Sequence, residues 1–246
     1  MKLALYGGTF DPVHRGHLAI ARAAAQRFDL SLIYFVPADL PPHKGNRALT
    51  DFHHRYAMLV LATADDDRLI PSLLEANSSQ PNYSIQTVRR LKSTLKKADK
   101  LFFLIGIDAF MEISTWKQPV QLLGECDFIV ASRPGYSLGD VGDALPEGLR
   151  PSKTVLQALR RQQASGTIAL PSTTIHLLPE VNERVSSTQI RGAADKSLKQ
   201  LSQFVPEPVA AYIKKQHLYT ASSEQEEKGS ARDGKVLSFR RAHQQE

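Results

Sequence analysis

Short apolar segments alternate with longer amphipathic segments through the first 135 residues, and this alternation restricts the possible folds more than any other feature. The apolar segments are rich in Leu, Ile, Val and Phe, which is typical of buried strands. They are Lys2–Tyr6, Ser31–Val36, Leu69–Leu74, Leu101–Ile105 and Asp127–Ala131. Apolar residues recur at helical spacing in His17–Phe28, Asp51–Ala64 and Ile85–Lys96. Strand–helix–strand repeats predict an α/β fold, a Rossmann-like open parallel sheet with helices on both faces.

The regular alternation of strand and helix patterns ends after residue 135. Glycine and proline become frequent around one candidate helix, Lys153–Gln163, so we interpret residues 136–172 as a variable excursion at the rim of the sheet rather than a second domain. A last strand, Thr173–Leu178, precedes two short helices near Ser187–Leu198 and Pro208–Gln216. The sequence thus predicts one domain over residues 1–220 with a small C-terminal helical part. Residues 221–246 have few apolar side chains to bury, and we expect a disordered tail.

Composition limits the class of protein. Lys and Arg total 31 against 25 Asp and Glu, a formal charge of +6 that suits anionic ligands from nucleotides to nucleic acid. Cys126 is the single cysteine, so no intrachain disulfide is possible, and its apolar surroundings favour a buried residue over a reactive thiol. No apolar segment approaches the roughly 18 residues that span a bilayer. The N-terminus has no signal-peptide pattern, and we expect a cytoplasmic protein that does not bind membranes.

The loop after the first strand carries the strongest chemical signal, and it reads GGTFDPVHRGH from Gly7 to His17. Ligands of open α/β sheets bind at the carboxyl ends of the strands, and glycines allow the backbone to approach them closely. The following helix start attracts anions, and His14 and His17 lie three residues apart, on one side of a helical turn. This pattern predicts positive hydrogen-bond donors for a polyphosphate.

This loop has two other interpretations, a simple turn and a metal site. Two glycines after a strand are often only a turn, and a histidine pair can bind a metal. No third Cys, His or carboxylate ligand is evident nearby in the sequence, and the chain contains neither G-x-G-x-x-G nor a Walker motif.

Two motifs closely resemble the signatures of the nucleotidylyltransferase superfamily. One is GGTFDP with the H-x-G-H element ending at His17, and the other is SSTQIR from Ser186 to Arg191, about 170 residues later. Further blocks are similar to bacterial nicotinate-nucleotide adenylyltransferases: PPHK at 41–44, YSIQT at 83–87, GID at 106–108, WK at 116–117, RPG at 133–135 and PEPV at 206–209. The resemblance extends from Met1 to about Tyr219, with Ser84 where many relatives have Thr, and residues 136–172 match poorly.

This resemblance implies a reaction between ATP and nicotinate mononucleotide that gives deamido-NAD and pyrophosphate, a step of NAD biosynthesis. The attacking group is already a phosphate anion, so catalysis depends mainly on positioning and charge stabilisation. The resemblance implies that His17 and His14 are catalytic, with His17 nearest the transferring phosphorus. It implies ATP contacts at Gly8, Thr9, Phe10, His14, His17, Ser187, Thr188 and Arg191, and mononucleotide contacts at His43, Lys44, Ser84, Asp108 and Trp116. Mg²⁺ would be held mainly by phosphate oxygens and water, with no metal ligand predicted among the protein side chains.

Several of these residues also have a purely structural interpretation. Ser186 and Gln189 have the spacing of a capping box, which is compatible with an anion site at the same helix start. Ser84 stands where an N-cap is expected, Trp116 has the alternative of a core position, and Asp108 that of a loop cap. His43 and Lys44 could belong to a solvated basic loop.

Two other functions compete with this interpretation. A phosphopantetheine adenylyltransferase is disfavoured because such chains are typically shorter and lack the PPHK and WK blocks. A nucleic-acid-binding protein is disfavoured because the basic pairs at 89–90, 96–97 and 160–161 lie on different predicted elements without interleaved aromatic residues. We therefore expect ATP and nicotinate mononucleotide as partners and no nucleic acid, while a homo-oligomer remains possible.

Overall fold

The computed structural model describes residues 1–41, 49–77, 80–133, 135–161, 166–179, 181, 185–194 and 197–220. Within these ranges seven strands form one sheet in the order β3-β2-β1-β4-β5-β7-β6. All neighbouring strands are parallel except β6, which is antiparallel to β7. The strands are β1 (Lys2–Gly8), β2 (Leu32–Pro37), β3 (Leu69–Pro71), β4 (Lys100–Gly106), β5 (Asp127–Ala131), β6 (Gly166–Ala169) and β7 (Thr174–Leu178).

The helices follow the parallel strands and cover the sheet. They are α1 (Arg15–Phe28), α2 (Phe52–Thr63), α3 (Ser84–Lys92), α4 (Ile107–Phe110), α5 (Pro119–Glu125), α6 (Leu138–Asp143), α7 (Lys153–Arg161), α8 (Ser187–Arg191), α9 (Leu198–Leu201) and α10 (Glu207–Lys215). Two short 3-10 turns lie at Ile113–Thr115 and Glu147–Leu149. In the part of the chain that the structure describes, no helix is both long and apolar enough to cross a membrane.

Two apolar clusters lie on opposite faces of the sheet, because successive side chains of a strand point to opposite sides. Along β4, Phe102 and Leu104 belong to one cluster, while Phe103 and Ile105 belong to the other. The predicted fold class, an open and mostly parallel sheet with helices on both faces, is confirmed. Cys126 is buried as expected, and burial raises the pKa of its thiol to about 12.

Several predicted boundaries were wrong. The third strand ends at Pro71 rather than residue 74, because the chain turns there and leaves Leu73 exposed. The helix predicted to reach residue 96 ends at Lys92, and the one predicted over residues 187–198 is two helices, α8 and α9, separated by a turn after Arg191. Short helices α4, α5 and α6 were not predicted, since segments of four to seven residues show too little periodicity.

The excursion at residues 136–172 contributes an edge strand and a packed helix pair. β6 extends the sheet beyond β7, and α6 packs against α7. A Cβ atom on Gly139 would lie 2.9 Å from the carbonyl oxygen of Leu156, and one on Gly142 would lie 2.6 Å from the Leu156 side chain. These two glycines therefore allow the two helices to approach closely.

Candidate active site

Two adjoining cavities open at the carboxyl end of the sheet, beside the loop that follows β1. The first has a volume of about 480 Å³ and the second about 530 Å³. Both are lined by the same five residues, Gly7, Gly8, Phe10, His17 and Gly106. The cavities lie where the strand order reverses, since β2 and β3 extend from one side of β1 while β4 and β5 extend from the other. Such a switch point is the usual ligand site of an open α/β sheet.

The shared wall depends on a tight conformation of the loop after β1. Phe10 is buried and adopts a left-handed backbone conformation, with φ of 48°. Its ring packs 5.0 Å from the ring of His17, centroid to centroid, and a Cβ atom on Gly8 would lie 3.1 Å from the Phe10 ring. A side chain at position 8 would therefore crowd the Phe10 ring, and the ring would have to shift to make room for it.

His14 and His17 start helix α1 and orient each other. The backbone N–H of His17 donates to Nδ1 of His14, and the backbone N–H of His14 donates to Nδ1 of His17, each over 3.3 Å. The two rings stack with centroids 3.7 Å apart. Because both Nδ1 atoms accept hydrogen bonds, each neutral ring carries its proton on Nε2. His14 lines the second cavity and His17 lines both, which agrees with the pairing predicted from their spacing.

Both imidazoles are neutral near pH 7 in this structure. Burial lowers the pKa of His14 to about 4 and that of His17 well below its usual value, and the nearby Arg133 cation adds to both shifts. In this structure the two residues are thus neutral donors rather than the positively charged donors that the sequence pattern predicts. A bound polyphosphate would raise both pKa values, because an adjacent negative charge favours the imidazolium form.

The SSTQIR block supports the loop after β1 from helix α8. Ser186 caps α8 in a capping box with Gln189, and both residues line the second cavity. The Ser187 hydroxyl donates to the carbonyl oxygen of Pro12 over 3.1 Å, and Arg191 donates to the carbonyl oxygen of Asp11 and to the Thr188 hydroxyl. In the structure Ser187 and Arg191 thus contact the loop itself, and their predicted contact with ATP stays a prediction, as does that of Thr188.

Arg55 is a buried side chain of this site that sequence reasoning missed. From α2 it donates through Nη1 to the carbonyl oxygens of Thr9 and Ala38, over 2.9 and 2.7 Å, and through Nε to that of Thr50. It thereby connects the loops that follow β1 and β2. One signal could have found it: Arg55 lies at helical spacing between the buried residues Phe52 and Leu59.

Aromatic side chains line the first cavity. Trp116 lies on the cavity wall and also packs edge-to-face against Phe103, with ring centroids 6.4 Å apart. The cavity and core interpretations of Trp116 thus both describe part of its surroundings. Ser84 lines the same cavity, but it is the first residue of α3, and the N-cap position belongs to Tyr83, which makes no side-chain capping bond. The N-cap interpretation of Ser84 was therefore wrong.

Of three further residues predicted to bind the mononucleotide, the structure describes one, Asp108. Asp108 pairs with Arg133 over 2.6 Å, joining the ends of β4 and β5, and its contact with a ribose stays a prediction. His43 and Lys44 lie outside the described residues.

Glu75, which was not predicted, lines the first cavity, accepts a hydrogen bond from the Thr87 hydroxyl, and has a pKa raised by burial. Among the described residues, no group of three or more His, Cys, Asp and Glu side chains is placed to hold a metal ion.

Comparison with known proteins assigns the class. A family model described as cytidylyltransferase-like matches residues 5–193, and the chain belongs to this family. A curated relative from Thermoanaerobacter sp. (strain X514), named a probable nicotinate-nucleotide adenylyltransferase, is 35% identical over 91% of this chain and 97% of its own length. One of the same name from Geobacter sulfurreducens is 36% identical over 89% of this chain and 98% of its own. Within the cytidylyltransferase-like proteins, the chain is therefore a member of the nicotinate-nucleotide adenylyltransferases.

A solved structure has the same fold. It is the Plasmodium falciparum nicotinic acid mononucleotide adenylyltransferase complexed with NaAD, which matches with a TM-score of 0.63 over 89% of this chain and 97% of its own. The two sequences are only 17% identical, so this likeness concerns the fold alone.

Proposed function

We propose that the protein transfers the adenylyl group of ATP to nicotinate mononucleotide, releasing pyrophosphate and deamido-NAD, as a step of NAD biosynthesis in the cytoplasm. The observation that supports this function most strongly is the position of His17 in the wall that the two adjoining cavities share. A transfer between two nucleotides needs such an arrangement, because each substrate requires its own site and the reacting groups must meet at one point.

The second cavity suits the donor. His14, His17, Arg133 and the start of α8 surround it with hydrogen-bond donors and positive charge. The mononucleotide phosphate attacks the α-phosphorus of ATP in line, and the bond to pyrophosphate breaks. The protonated Nε2 atoms of His14 and His17 then stabilise the charge that develops on the pentavalent phosphorus, and no general base is needed because the attacking oxygen is already anionic.

The first cavity suits the acceptor. An aromatic side chain on a cavity wall can stack against a planar pyridine ring, and Trp116 has this position. Ser84 supplies a hydroxyl at the start of α3, where backbone N–H groups favour a carboxylate. The pyridine would thus be held by stacking and its carboxylate by the start of α3.

Mg²⁺ would accompany ATP and would neutralise part of the phosphate charge. The described lining of the second cavity offers imidazole, hydroxyl, amide and guanidinium groups rather than carboxylates. Such a donor set fits an ion held chiefly by phosphate oxygens and water.

Release of pyrophosphate tests this function. The purified chain is incubated with ATP and Mg²⁺ and with nicotinate mononucleotide, nicotinamide mononucleotide or phosphopantetheine in parallel, and the dinucleotide product is identified by mass. We expect release with nicotinate mononucleotide and a product with the mass of deamido-NAD. Release of pyrophosphate with phosphopantetheine but with neither mononucleotide would contradict the proposal.

A further inference from the structure

The chain reverses direction after α10 and returns to the domain. His217 adopts a left-handed conformation with φ of 52°, and the backbone N–H of Leu218 donates to the carbonyl oxygen of Ile213 over 3.0 Å. This is the hydrogen bond of a Schellman turn, and Leu218 and Ile213 belong to the same apolar cluster. Tyr219, which follows with φ of 63°, packs against the cluster that contains Phe10.

The Tyr219 hydroxyl reaches the loop after β1. It donates to Oδ1 of Asp11 over 2.8 Å, although 208 residues separate the two. Asp11 is only 4% exposed, so its carboxylate depends on donors from the protein. Burial and the Asp11 charge both raise the pKa of Tyr219, which keeps the phenol protonated and able to donate.

Asp11 holds a strained part of the loop. It follows Phe10, whose φ is 48°, and precedes His14, the N-cap of α1. Bulky residues occupy the left-handed region only where their surroundings enforce it, and both Tyr219 and Phe10, the residue before Asp11, adopt it here. The loop that presents His14 and His17 to the cavities is therefore in contact with a side chain that is remote in sequence, near the C-terminal end of the domain.

We propose that Tyr219 is a positioning residue for adenylyl transfer, because its hydrogen bond to Asp11 holds the loop that orients His14 and His17. The proposal rests on the proposed function. Neither Tyr219 nor Asp11 lines either cavity, so the effect of Tyr219 passes through the loop rather than through contact with substrate. A positioning role predicts a loss of kcat with little change in either KM.

The test is Tyr219→Phe in the 246-residue chain, which removes one hydroxyl and keeps the ring. We expect kcat to fall about tenfold or more, since a hydrogen bond to a buried carboxylate is lost, with both KM values within about threefold. Tyr212→Phe is the matched control. It removes the hydroxyl of a tyrosine on α10 whose partner is Nδ1 of His54, at 2.9 Å and outside both cavities, and it should leave kcat unchanged.

A double-mutant cycle separates positioning from general destabilisation. Asp11→Ala removes the acceptor of the Tyr219 hydroxyl. The variant that combines it with Tyr219→Phe should lower kcat by less than the product of the two single effects, because each single change already removes the hydrogen bond between the two side chains. Multiplicative effects would overturn the proposal, as would equal kcat values for Tyr219→Phe and Tyr212→Phe. If the unmodified chain makes no deamido-NAD, the proposed function itself fails. This outcome is distinct from multiplicative effects and from equal kcat values of the two Tyr→Phe variants, in which the unmodified chain is active.

Discussion

The two cavities share the loop after β1, yet the rest of their walls is chemically different. Trp116, Tyr83 and Phe103 place aromatic side chains in the wall of the first cavity. The second cavity is lined by His14, Arg133 and polar residues at the start of α8. An aromatic wall favours a planar ring and a wall of donors favours a polyphosphate, so one central loop can serve two unlike ligands. This is possible because β1 lies between β2 and β4, and its loop reaches both sides of the reversal in strand order.

The shared residue His17 should show the largest effect. His17→Ala should lower kcat by about 10²- to 10³-fold, the scale for loss of one preorganised donor. Neither KM value should change selectively, because His17 belongs to both cavities. Steady-state kinetics with each substrate varied in turn gives both values. His53→Ala, an exposed histidine of α2, is the matched control and should behave like the unmodified chain. Turnover of His17→Ala near that of the control would contradict the role of His17.

His14 lines only the second cavity, and its burial should make the fold sensitive to acid. Its pKa is lowered from 6.5 to about 4 in the folded protein, so the unfolded chain binds the extra proton between these two pH values. Stability is then lost as pH falls from 6.5 towards 4, by up to about 3 kcal/mol for this group.

Urea unfolding at several pH values measures this loss of stability. His14→Asn keeps an N-cap acceptor for α1 but removes the titrating ring. Between pH 6.5 and 4 the variant should lose less stability than the unmodified chain, whereas His53→Asn should follow the unmodified chain. Parallel curves for the chain and His14→Asn would show that burial of His14 has no such consequence.

Trp116 tests the aromatic cavity by itself. Stacking of an aromatic side chain on a nucleic-acid base is worth roughly 1–3 kcal/mol, so Trp116→Ala should raise KM for nicotinate mononucleotide about 5- to 150-fold. The KM for ATP should not change, since the second cavity is intact. Trp116→Phe retains a stacking ring and should recover most of the affinity.

The contact of Trp116 with Phe103 allows a different outcome. Truncation of a core tryptophan typically costs about 3–5 kcal/mol of stability. A large fall in melting temperature with both KM values unchanged would place Trp116 in the core and remove the acceptor site from the first cavity.

Ser187 should give the smallest effect, on the donor side. One hydroxyl contact is worth about 0.5–1.5 kcal/mol, so Ser187→Ala should raise KM for ATP about 2- to 12-fold and leave KM for the mononucleotide unchanged. Ser93→Ala is the control, since that hydroxyl also donates to a backbone carbonyl oxygen, but to that of Arg90 in α3 rather than to one in the loop after β1. A lower kcat with an unchanged KM would mean that Ser187 only supports the loop through Pro12.

Sequence reasoning found residues whose signal is local and missed residues whose partners are remote. His14 and His17 belong to one helical turn, and their spacing alone predicted that they act together. Arg55 donates a hydrogen bond to a carbonyl oxygen 46 residues away, and Tyr219 donates one to a carboxylate 208 residues away. Neither contact produces a pattern that a short window of sequence can show. Glu75 was missed for the same reason, because only the packing of α3 brings Thr87 to it.

The sequence by itself determined the layered architecture and the place of the site. Alternating strand and helix patterns restrict the chain to a doubly wound sheet, and a Gly-Gly loop before a helix marks the edge at which both cavities open, because both signals come from residues close in sequence. Tertiary structure alone decided that the two imidazoles are neutral, since burial sets their pKa values, and that Ser186 and Gln189 line the second cavity while Ser187 and Arg191 contact the loop. It also decided that β6 closes the edge antiparallel to β7. Burial and long-range pairing arise only when distant segments pack together, so a linear pattern cannot specify them.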